Sequence, residues 1–414
     1  MSVSIRELVS QAEAATSGLG HAPSTRWQYR WAWSQFEVFC AREGLAEPTE
    51  DAVALFLRFV TAEHREGRVK EWKRKLLRKA ALVLSEVAAT GTYRWKLSRR
   101  AHRNDALDAV FRPVQEQFEA WLGSQRLAAT TRGLYTTVSR TVLAWLPARG
   151  ITAMRSLSGV DVSAVVVFLG GRYRPGSMRT VLTAVRVLTR FLEDIVGCAG
   201  LSRAVPTLPS RRAGSVRVLP ADQLDELLST PDLSTSAGLR DRALLLLGAR
   251  TGLRPVDMVG LRLRDIDWRA ARITLVQHKT GTVLTVPLLA EVGDAIADYL
   301  LHGRPAGVAC EHVFLRAQAP FTALSPSNDL HRVAARALSR IPHGAPAGTG
   351  HGFRVLRASF ATRMLQDGAP LPVISGALGH RGIDSAKHYL AGDEQRMREC
   401  CLDFAGVEPR AARP

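Results

Sequence analysis

Residues Arg354–Thr362 read RVLRASFAT, and no other stretch constrains the architecture as strongly. Its helical periodicity predicts a helix over Phe353–Gln366. Gly368 and Pro370 then break the chain ahead of another predicted helix over Leu371–Leu378. The region around the stretch is therefore expected to be built mainly from helices.

Upstream of these helices, the same region contains a small amount of predicted β-structure. The runs Arg272–Gln277 and Val283–Pro287 are rich in strand-forming residues and flank the segment His278–Thr282, which predicts a β-hairpin. The expected fold class is therefore α+β, mainly helical with one small hairpin sheet in the C-terminal domain. The further helices predicted in this domain are Pro220–Leu228, Leu239–Ala249, Ala290–Leu301 and Ser327–Ser339.

The first 200 residues read as helical and fall into two blocks. Ser24 and Thr25 predict the N-cap of one helix. Thr25-Arg26 followed by Tyr29 is echoed by Thr131-Arg132 followed by Tyr135, which suggests a duplicated helical module. The expected boundaries are 1–110 for an N-terminal helical domain, 111–200 for a second helical domain, 201–218 for a Gly- and Pro-containing linker, 219–392 for the C-terminal domain and 393–414 for a tail.

The net charge indicates a polyanionic partner. The 414 residues include 56 Lys and Arg against 38 Asp and Glu, a formal net charge of +18. No apolar run approaches the roughly 18 residues that cross a bilayer, and Met1–Arg6 lack the pattern of a signal peptide. Nucleic acid is therefore favoured over a membrane surface. The alternative is a generally basic protein from a GC-rich genome.

Several clusters of basic residues are candidates for contact with nucleic-acid phosphates. The segment Lys70–Lys79 reads KEWKRKLLRK and predicts a helix with one apolar stripe and one cationic face. A solvated helix face is the alternative. The candidate DNA-contacting residues are Lys70, Lys73, Arg74, Lys75, Arg78, Lys79, Arg99, Arg100, Arg132, Arg172, Arg174, Arg179, Arg211 and Arg212.

Neither a metal nor a nucleotide cofactor is expected. The five cysteines fit neither a zinc site nor a disulfide framework, so reduced thiols are predicted. No Gly-rich phosphate loop is present in the sequence, which argues against the use of ATP. The cysteines are Cys40, Cys198, Cys310, Cys400 and Cys401.

Five residues suited to phosphodiester chemistry occur in order along the C-terminal half. Arginine forms two hydrogen bonds with a phosphate and keeps its charge, while a tyrosine can attack phosphorus and form a reversible ester. The elements are Arg254 in TGLRPVD, Lys279 at the hairpin turn, Arg357 in RVLRASFAT, His380 in LGHR and Tyr389 in KHYL.

This pattern resembles the tyrosine recombinase (phage integrase) family over roughly residues 215–405. His380 follows Arg357 by 23 residues (380 − 357) and precedes Tyr389 by nine (389 − 380), which suits the family's spacing. The resemblance implies a catalytic domain preceded by helical domains that clamp DNA. It also implies a site-specific DNA recombinase that cleaves and rejoins DNA through a 3′-phosphotyrosyl intermediate and a Holliday junction, without ATP or metal.

The resemblance also implies a role for each matched residue. Arg254 and Arg357 would clamp the scissile phosphate, and Tyr389 would be the nucleophile. Lys279 would protonate the leaving 5′ oxygen, and His380 would bind a non-bridging oxygen or assist the nucleophile. Asp257, three residues after Arg254, either orients a catalytic side chain or is a surface charge near a helix N-terminus.

One position departs from the family pattern. Arg354 occupies the place three residues before Arg357 where the family usually has a histidine. An alternative register would use His351, but the SFAT motif and the distance to His380 both select Arg357. Arg354 can donate hydrogen bonds to phosphate but cannot act as a neutral base. Proton abstraction from the nucleophile is therefore open, with His351 or His380 as substitutes.

The partner expected from the resemblance is double-stranded DNA with a specific recombination site, bound by a homo-oligomer with a dimer per site and a tetramer in the synapse. Partner recombinases or DNA-bending proteins are further candidates, and the bacterial nucleoid in the cytoplasm is the expected location. The tail Glu394–Phe404 is expected to dock on a neighbouring protomer. Two alternatives stay open: an accessory DNA-binding protein impaired by Arg354, and a type IB topoisomerase.

Overall fold

The computed structural model describes residues 4–47, 49–93, 107–208, 218–325, 329–341, 352–380 and 382. The chain divides into two compact units. One contains the described residues up to 93 together with those from 218 onward, and the other contains residues 107–208. The first unit thus joins the N-terminal helices to the C-terminal region. The domain boundaries expected from the sequence stay a prediction.

Four helices form the N-terminal part of the first unit. The second begins at Pro23, earlier than the predicted Ser24-Thr25 cap, because proline at the first helical position has a fitting φ and no N–H to satisfy. Trp33, Phe36 and Phe56 fill the core between the helices. The helices are α1 (Ile5–Ser17), α2 (Pro23–Arg42), α3 (Glu50–Arg65) and α4 (Glu71–Thr90).

In the part of the second unit that the structure describes, four further α-helices are present, as the helical pattern of this block predicts. Its core includes Phe118, Leu143 and Phe191, and Ser158 with Asp161 forms a capping box at the start of its third helix. The helices are α5 (Arg112–Ser124), α6 (Ala129–Trp145), α7 (Gly159–Arg172) and α8 (Pro175–Phe191). Thr25 and Thr131 are the third residues of α2 and α6. The duplication itself stays a prediction.

The C-terminal part of the first unit has the predicted α+β composition. The two predicted strands pair antiparallel, with Val276 opposite Val283, and a short unpredicted strand adds to one edge. The elements are α9 (Ala221–Ser229), α10 (Ser236–Thr251), α11 (Pro255–Gly260), β1 (Ile266–Asp267), β2 (Arg272–Val276), β3 (Val283–Pro287), α12 (Ala290–Asp298), α13 (Asp329–Leu338), α14 (Arg354–Gln366) and α15 (Leu371–Ala377).

Helix α10 is the centre of this region and determines where α14 lies. Residues 243–249 of α10 are all buried, and each fully buried leucine among them stabilises the fold by roughly 1.5–3 kcal/mol. A Cβ on Gly248 would come within 3.0 Å of the Phe353 ring. The glycine therefore lets the start of α14 approach α10 closely, and Arg357 lies beside the end of α10.

The N-terminal helices also meet the C-terminal region within the first unit. A Cβ built on Gly20 would lie 3.4 Å from the ring of Phe321. Lys79 of α4 lies near the positively charged guanidinium of Arg316. The pKa of Lys79 is lowered to about 8, mainly by burial and in addition by repulsion from Arg316.

Among the helices that the structure describes, none is long and apolar enough to cross a membrane. The thiols of Cys40 and Cys198 are free and buried, and that of Cys310 is free and half-buried. The remaining two cysteines, Cys400 and Cys401, lie outside the described residues.

Candidate active site

The corner between α10 and α11 presents the first predicted arginine. Gly252 has a φ of +61°, and a Cβ there would lie 2.6 Å from the ring of Phe360, so glycine is required on both grounds. The chain turns at this glycine and places Arg254 at the N-cap of α11. The TGLR motif thus works as a structural corner that directs Arg254 towards α14 and the segment after α15.

Arg357 is buried and held by backbone carbonyls. Its Nη1 donates to the Gly252 carbonyl at 2.7 Å, and its Nη2 donates to the Leu378 carbonyl at 3.0 Å. The same Nη2 lies 2.8 Å from Nε2 of His380. Because carbonyls carry no net charge, these bonds fix the guanidinium without neutralising it.

The bond to Arg357 identifies the accepting nitrogen of His380. A guanidinium can only donate hydrogen bonds, so Nε2 of His380 must be unprotonated and accept. The proton of a neutral imidazole therefore lies on Nδ1, which can donate. In this arrangement Nδ1 is the ring nitrogen of His380 that can donate a hydrogen bond.

Arg254, which is half-buried, and Asp257, which is buried, lie next to each other near Arg357. Nη2 of Arg254 lies 3.4 Å from the Gly379 carbonyl. Its Nη1 lies 4.0 Å from Oδ2 of Asp257, and neither of these two atoms has a hydrogen-bond partner among the described residues. Arg254 therefore keeps donor capacity for an anion.

Asp257 is not the surface charge that one alternative predicted. Its side chain is 0% exposed, and its Oδ1 accepts a hydrogen bond from the backbone N–H of His278 at 2.8 Å. Burial raises the pKa of this carboxyl, against the opposing effects of that hydrogen bond and of Arg254 and Arg357. The carboxylate ties α11 to the hairpin turn.

Lys279 lies exposed in that turn, between β2 and β3. The residues around it are anchored. Gln277 is fully buried and donates from Nε2 to the Leu378 carbonyl at 3.2 Å. Sequence reasoning missed Gln277, which it took for the last residue of a strand, whereas β2 ends at Val276. A buried amide cannot be recognised from a strand pattern alone.

Arg354 is separate from this cluster. It is the first residue of α14 and is exposed, and within the described ranges no hydrogen bond or ion pair holds it. It lies one helical turn before Arg357, so the two share a helix face. The structure thus brings together Arg254, Asp257, Arg357 and His380, with Lys279 on an adjoining turn.

Several predicted site residues lie outside the described residues. They include the predicted nucleophile and the histidine of the alternative register, as well as the tail expected to dock on a neighbour. These residues are Tyr389, His351, Arg99, Arg100, Arg211, Arg212 and the range 393–414.

The basic residues of α4 differ in their surroundings. Lys70 and Arg78 are exposed, and Lys73 lies 5.5 Å from the ring centre of Trp31 and 5.7 Å from that of Trp72. Arg74 makes two hydrogen bonds to Glu71, of 2.6 and 2.8 Å, and Lys75 lies 3.4 Å from the same carboxylate.

Lys79 departs from the predicted cationic face. It is half-buried, with Nζ 5.4 Å from the ring centre of Tyr29, because its position on the helix faces the bundle. In the second unit, Arg132 is half-buried on α6. Three of the predicted DNA-contacting residues there, Arg172, Arg174 and Arg179, are exposed around the junction of α7 and α8.

The clustered side chains suit an anion. Two guanidinium groups and the imidazole of His380 converge around the backbone of residues 378–380. Within the described part of the chain, no group of three or more His, Cys, Asp or Glu residues is arranged to hold a metal ion. Such a constellation can bind a phosphate and stabilise added negative charge on its oxygens.

Comparison with known proteins identifies the family. Residues 217–396 match the sequence model of the Phage integrase family. The chain is 35% identical over 302 residues to an integrase/recombinase of Sinorhizobium fredii, over 72% of each chain. It is 30% identical over 303 residues to the tyrosine recombinase XerD of Yersinia pestis, which covers 69% of this chain and 95% of XerD.

The fold agrees with that assignment. The structure of a lambda integrase tetramer bound to a Holliday junction superposes with a TM-score of 0.51 at 16% identity, covering 82% of this chain and 90% of the integrase. The chain therefore belongs to the phage integrase family, as a tyrosine-type site-specific DNA recombinase.

Proposed function

We propose that this recombinase cleaves and rejoins double-stranded DNA through a 3′-phosphotyrosyl intermediate, with Tyr389 as the nucleophile. The observation that carries the proposal is the convergence of Arg254, Arg357 and His380 on the backbone of residues 378–380. Arg254 retains unpartnered donor capacity there. A scissile phosphate bound at this point meets three hydrogen-bond donors, two of them on permanently charged groups.

The cleavage step follows from these groups. The Tyr389 oxygen forms a bond to phosphorus while the bond from phosphorus to the 5′ oxygen breaks. Lys279 gives a proton to the departing oxygen, which leaves as a 5′ hydroxyl. The arginines and the Nδ1–H of His380 stabilise the charge on the non-bridging oxygens. Since His380 accepts from Arg357, the phenolic proton passes to His351 or to solvent.

Rejoining reverses the same chemistry. The 5′ hydroxyl of a second strand gives its proton to Lys279 and attacks the phosphotyrosine. The bond from phosphorus to tyrosine breaks, and the phenolate takes a proton from His351 or from solvent. Bond energy is retained in the aryl phosphate, so the exchange requires no ATP. Exchange of one strand pair produces a Holliday junction, and exchange of the second pair resolves it.

The assembly that we propose is a dimer on each recombination site and a tetramer in the synapse. Support comes from the likeness in fold to the integrase tetramer on a Holliday junction. The exposed basic residues of α4 and of the junction between α7 and α8 would contact flanking phosphates. Partner recombinases or DNA-bending proteins would add to this assembly on the bacterial nucleoid.

A nicked suicide duplex that carries the cognate site tests the proposal. We expect a covalent protein–DNA band with the wild type and none with Tyr389→Phe. A band at many unrelated sequences, with relaxation of supercoils, would favour the topoisomerase alternative. Site-specific binding without any band would favour the impaired accessory protein and would overturn the proposed function.

A further inference from the structure

We propose that Gln277 is a positioning residue, which fixes the turn bearing Lys279 against the backbone segment that orients Arg357. The inference deepens the proposed function and rests on it, since Lys279 is the proposed proton donor there. Gln277 touches neither the phosphate nor the reacting oxygens in this role. It acts by setting where the Lys279 backbone lies.

The first observation is a shared acceptor. Nε2 of Gln277 donates to the Leu378 carbonyl at 3.2 Å, and Nη2 of Arg357 donates to the same oxygen at 3.0 Å. One carbonyl therefore connects the hairpin turn to the phosphate clamp. Because Gln277 is 0% exposed, water cannot replace its hydrogen bond without opening the core.

The second observation concerns the turn itself. Oε1 of Gln277 accepts from the Thr280 hydroxyl at 2.8 Å. The backbone of Gln277 accepts from Gly281 N at 2.8 Å and donates to the Thr282 carbonyl at 2.9 Å. Together with the bond from His278 to Asp257, these contacts hold the chain on both sides of Lys279.

The third observation is the close approach of the amide to Gly379. This glycine has a φ of +61°, and a Cβ built on it would lie 2.4 Å from both polar atoms of the Gln277 amide. The amide therefore lies directly against the backbone at 379, immediately before His380. No larger residue at 379 leaves room for Gln277 in its present position.

These contacts matter because Lys279 has a long and exposed side chain. If the backbone of the turn also moves, the Lys279 ammonium group is rarely within reach of the leaving 5′ oxygen. When the backbone is fixed, only the side-chain torsions of Lys279 have to adjust to bring it there. Removal of the amide frees the turn from residues 378–380 while leaving Arg357 its bonds to Gly252 and His380.

The test uses two suicide duplexes that differ only in the bridging 5′ atom of the scissile phosphate, oxygen in one and sulfur in the other. A thiolate leaves without a proton donor, so cleavage of the sulfur substrate does not require Lys279. We expect Gln277→Leu to cleave the oxygen substrate about 10-fold more slowly than wild type, or slower still. We expect it to cleave the sulfur substrate within about threefold of the wild-type rate.

Two variants provide the reference patterns. Lys279→Ala should show the same selective rescue by sulfur, and Gln366→Leu, at an exposed glutamine ending α14, should cleave both substrates like wild type. Gln277→Glu keeps the acceptor for Thr280 but loses the donor to Leu378. We expect Gln277→Glu to show the same selective rescue by the sulfur substrate. It replaces Gln277→Leu as the test variant if Gln277→Leu is not folded, as shown by the lack of a thermal unfolding transition.

The outcomes separate this inference from the function on which it rests. Equal losses by Gln277→Leu on both substrates, or no loss on either, would overturn the positioning role. If Lys279→Ala is not rescued by sulfur, the assignment of the proton donor is wrong and this inference fails with it. A wild type that forms no covalent adduct on either substrate would refute the proposed cleavage chemistry itself.

Discussion

At the level of single residues, Arg357 and Arg354 look alike in the sequence and differ in the structure. Arg357 is buried and bonded to two carbonyls and to His380, whereas Arg354 is exposed at the start of the same helix. The cluster can hold a phosphate only if the guanidinium geometry of Arg357 is kept. Lysine offers one nitrogen and cannot make bonds in these three directions along a planar fork.

We therefore expect Arg357→Lys to lower the rate of covalent adduct formation about 100-fold or more, the loss typical of a missing transition-state donor. Duplex binding, which depends on many phosphate contacts, should change by less than about threefold. Single-turnover cleavage and filter binding measure the two effects.

Arg354→Lys is the matched control and should cleave within about threefold of wild type, because charge is preserved at an exposed position. An equally large loss in Arg354→Lys would mean that Arg354 makes a bidentate contact in the bound state. In that case it would take over the part of the family's usual histidine.

Among the elements, the corner between α10 and α11 is the most constrained backbone near the site. Gly252→Ala combines a positive φ with a Cβ 2.6 Å from Phe360. We expect the free energy of unfolding to fall by about 1–3 kcal/mol, together with slower cleavage because Arg254 moves. Urea denaturation followed by circular dichroism gives the first quantity.

Gly260→Ala, at the last residue of α11, is the control, since a Cβ there meets no atom within 4 Å. Its stability should equal or slightly exceed that of wild type, because alanine restricts the unfolded chain. Similar destabilisation by both substitutions would show that the corner carries no special strain.

Helix α4 supplies a prediction about DNA binding. Lys73 and Lys79 are both half-buried, Lys73 beside Trp31 and Trp72 and Lys79 over Tyr29, but burial lowers the pKa of Lys79 to about 8. Lys73→Gln should weaken binding at all sequences and reduce the slope of log affinity against log salt by about 1. Lys79→Gln should leave that slope within about 0.3 of wild type. Equal slopes for both variants would contradict phosphate contact by Lys73.

Much of the element pattern could be predicted because it depends on local chemistry. The period-2 burial of β2 and β3 and the turn residues between them locate the hairpin. The predicted start of α2 was wrong: Ser24 and Thr25 suit an N-cap, but the helix begins at Pro23. For the site, the order of the motifs along the sequence predicted Arg254, Arg357 and His380 as site residues. The carbonyls of Gly252 and Leu378 could not be foreseen, because tertiary packing alone brings them to Arg357.

For the whole molecule, the predicted docking of the tail bears on assembly. Removing the residues after Gly392 should leave binding to a single half-site within about twofold, since the basic surfaces of α4, α7 and α8 remain. The affinity for the second protomer should fall at least about 10-fold, because the tail that we expect to dock is missing from the interface. Gel-shift titration on half-sites and full sites resolves the two.

A tail variant with Leu402→Asp and Phe404→Asp, which keeps the full length, provides the control for truncation. It should reproduce the loss on full sites if the apolar end of the tail is what docks. Unchanged synapsis in both variants would contradict docking by the tail.

The contact between Gln277 and Gly379 also limits how the gene can change. Replacing Gly379 first would insert a Cβ 2.4 Å from the amide in a left-handed backbone. Shortening residue 277 first makes room, but it releases the turn that bears Lys279. The two positions therefore constrain each other during evolution. Residue 277 has to change before residue 379, and the protein that carries only the first change recombines slowly.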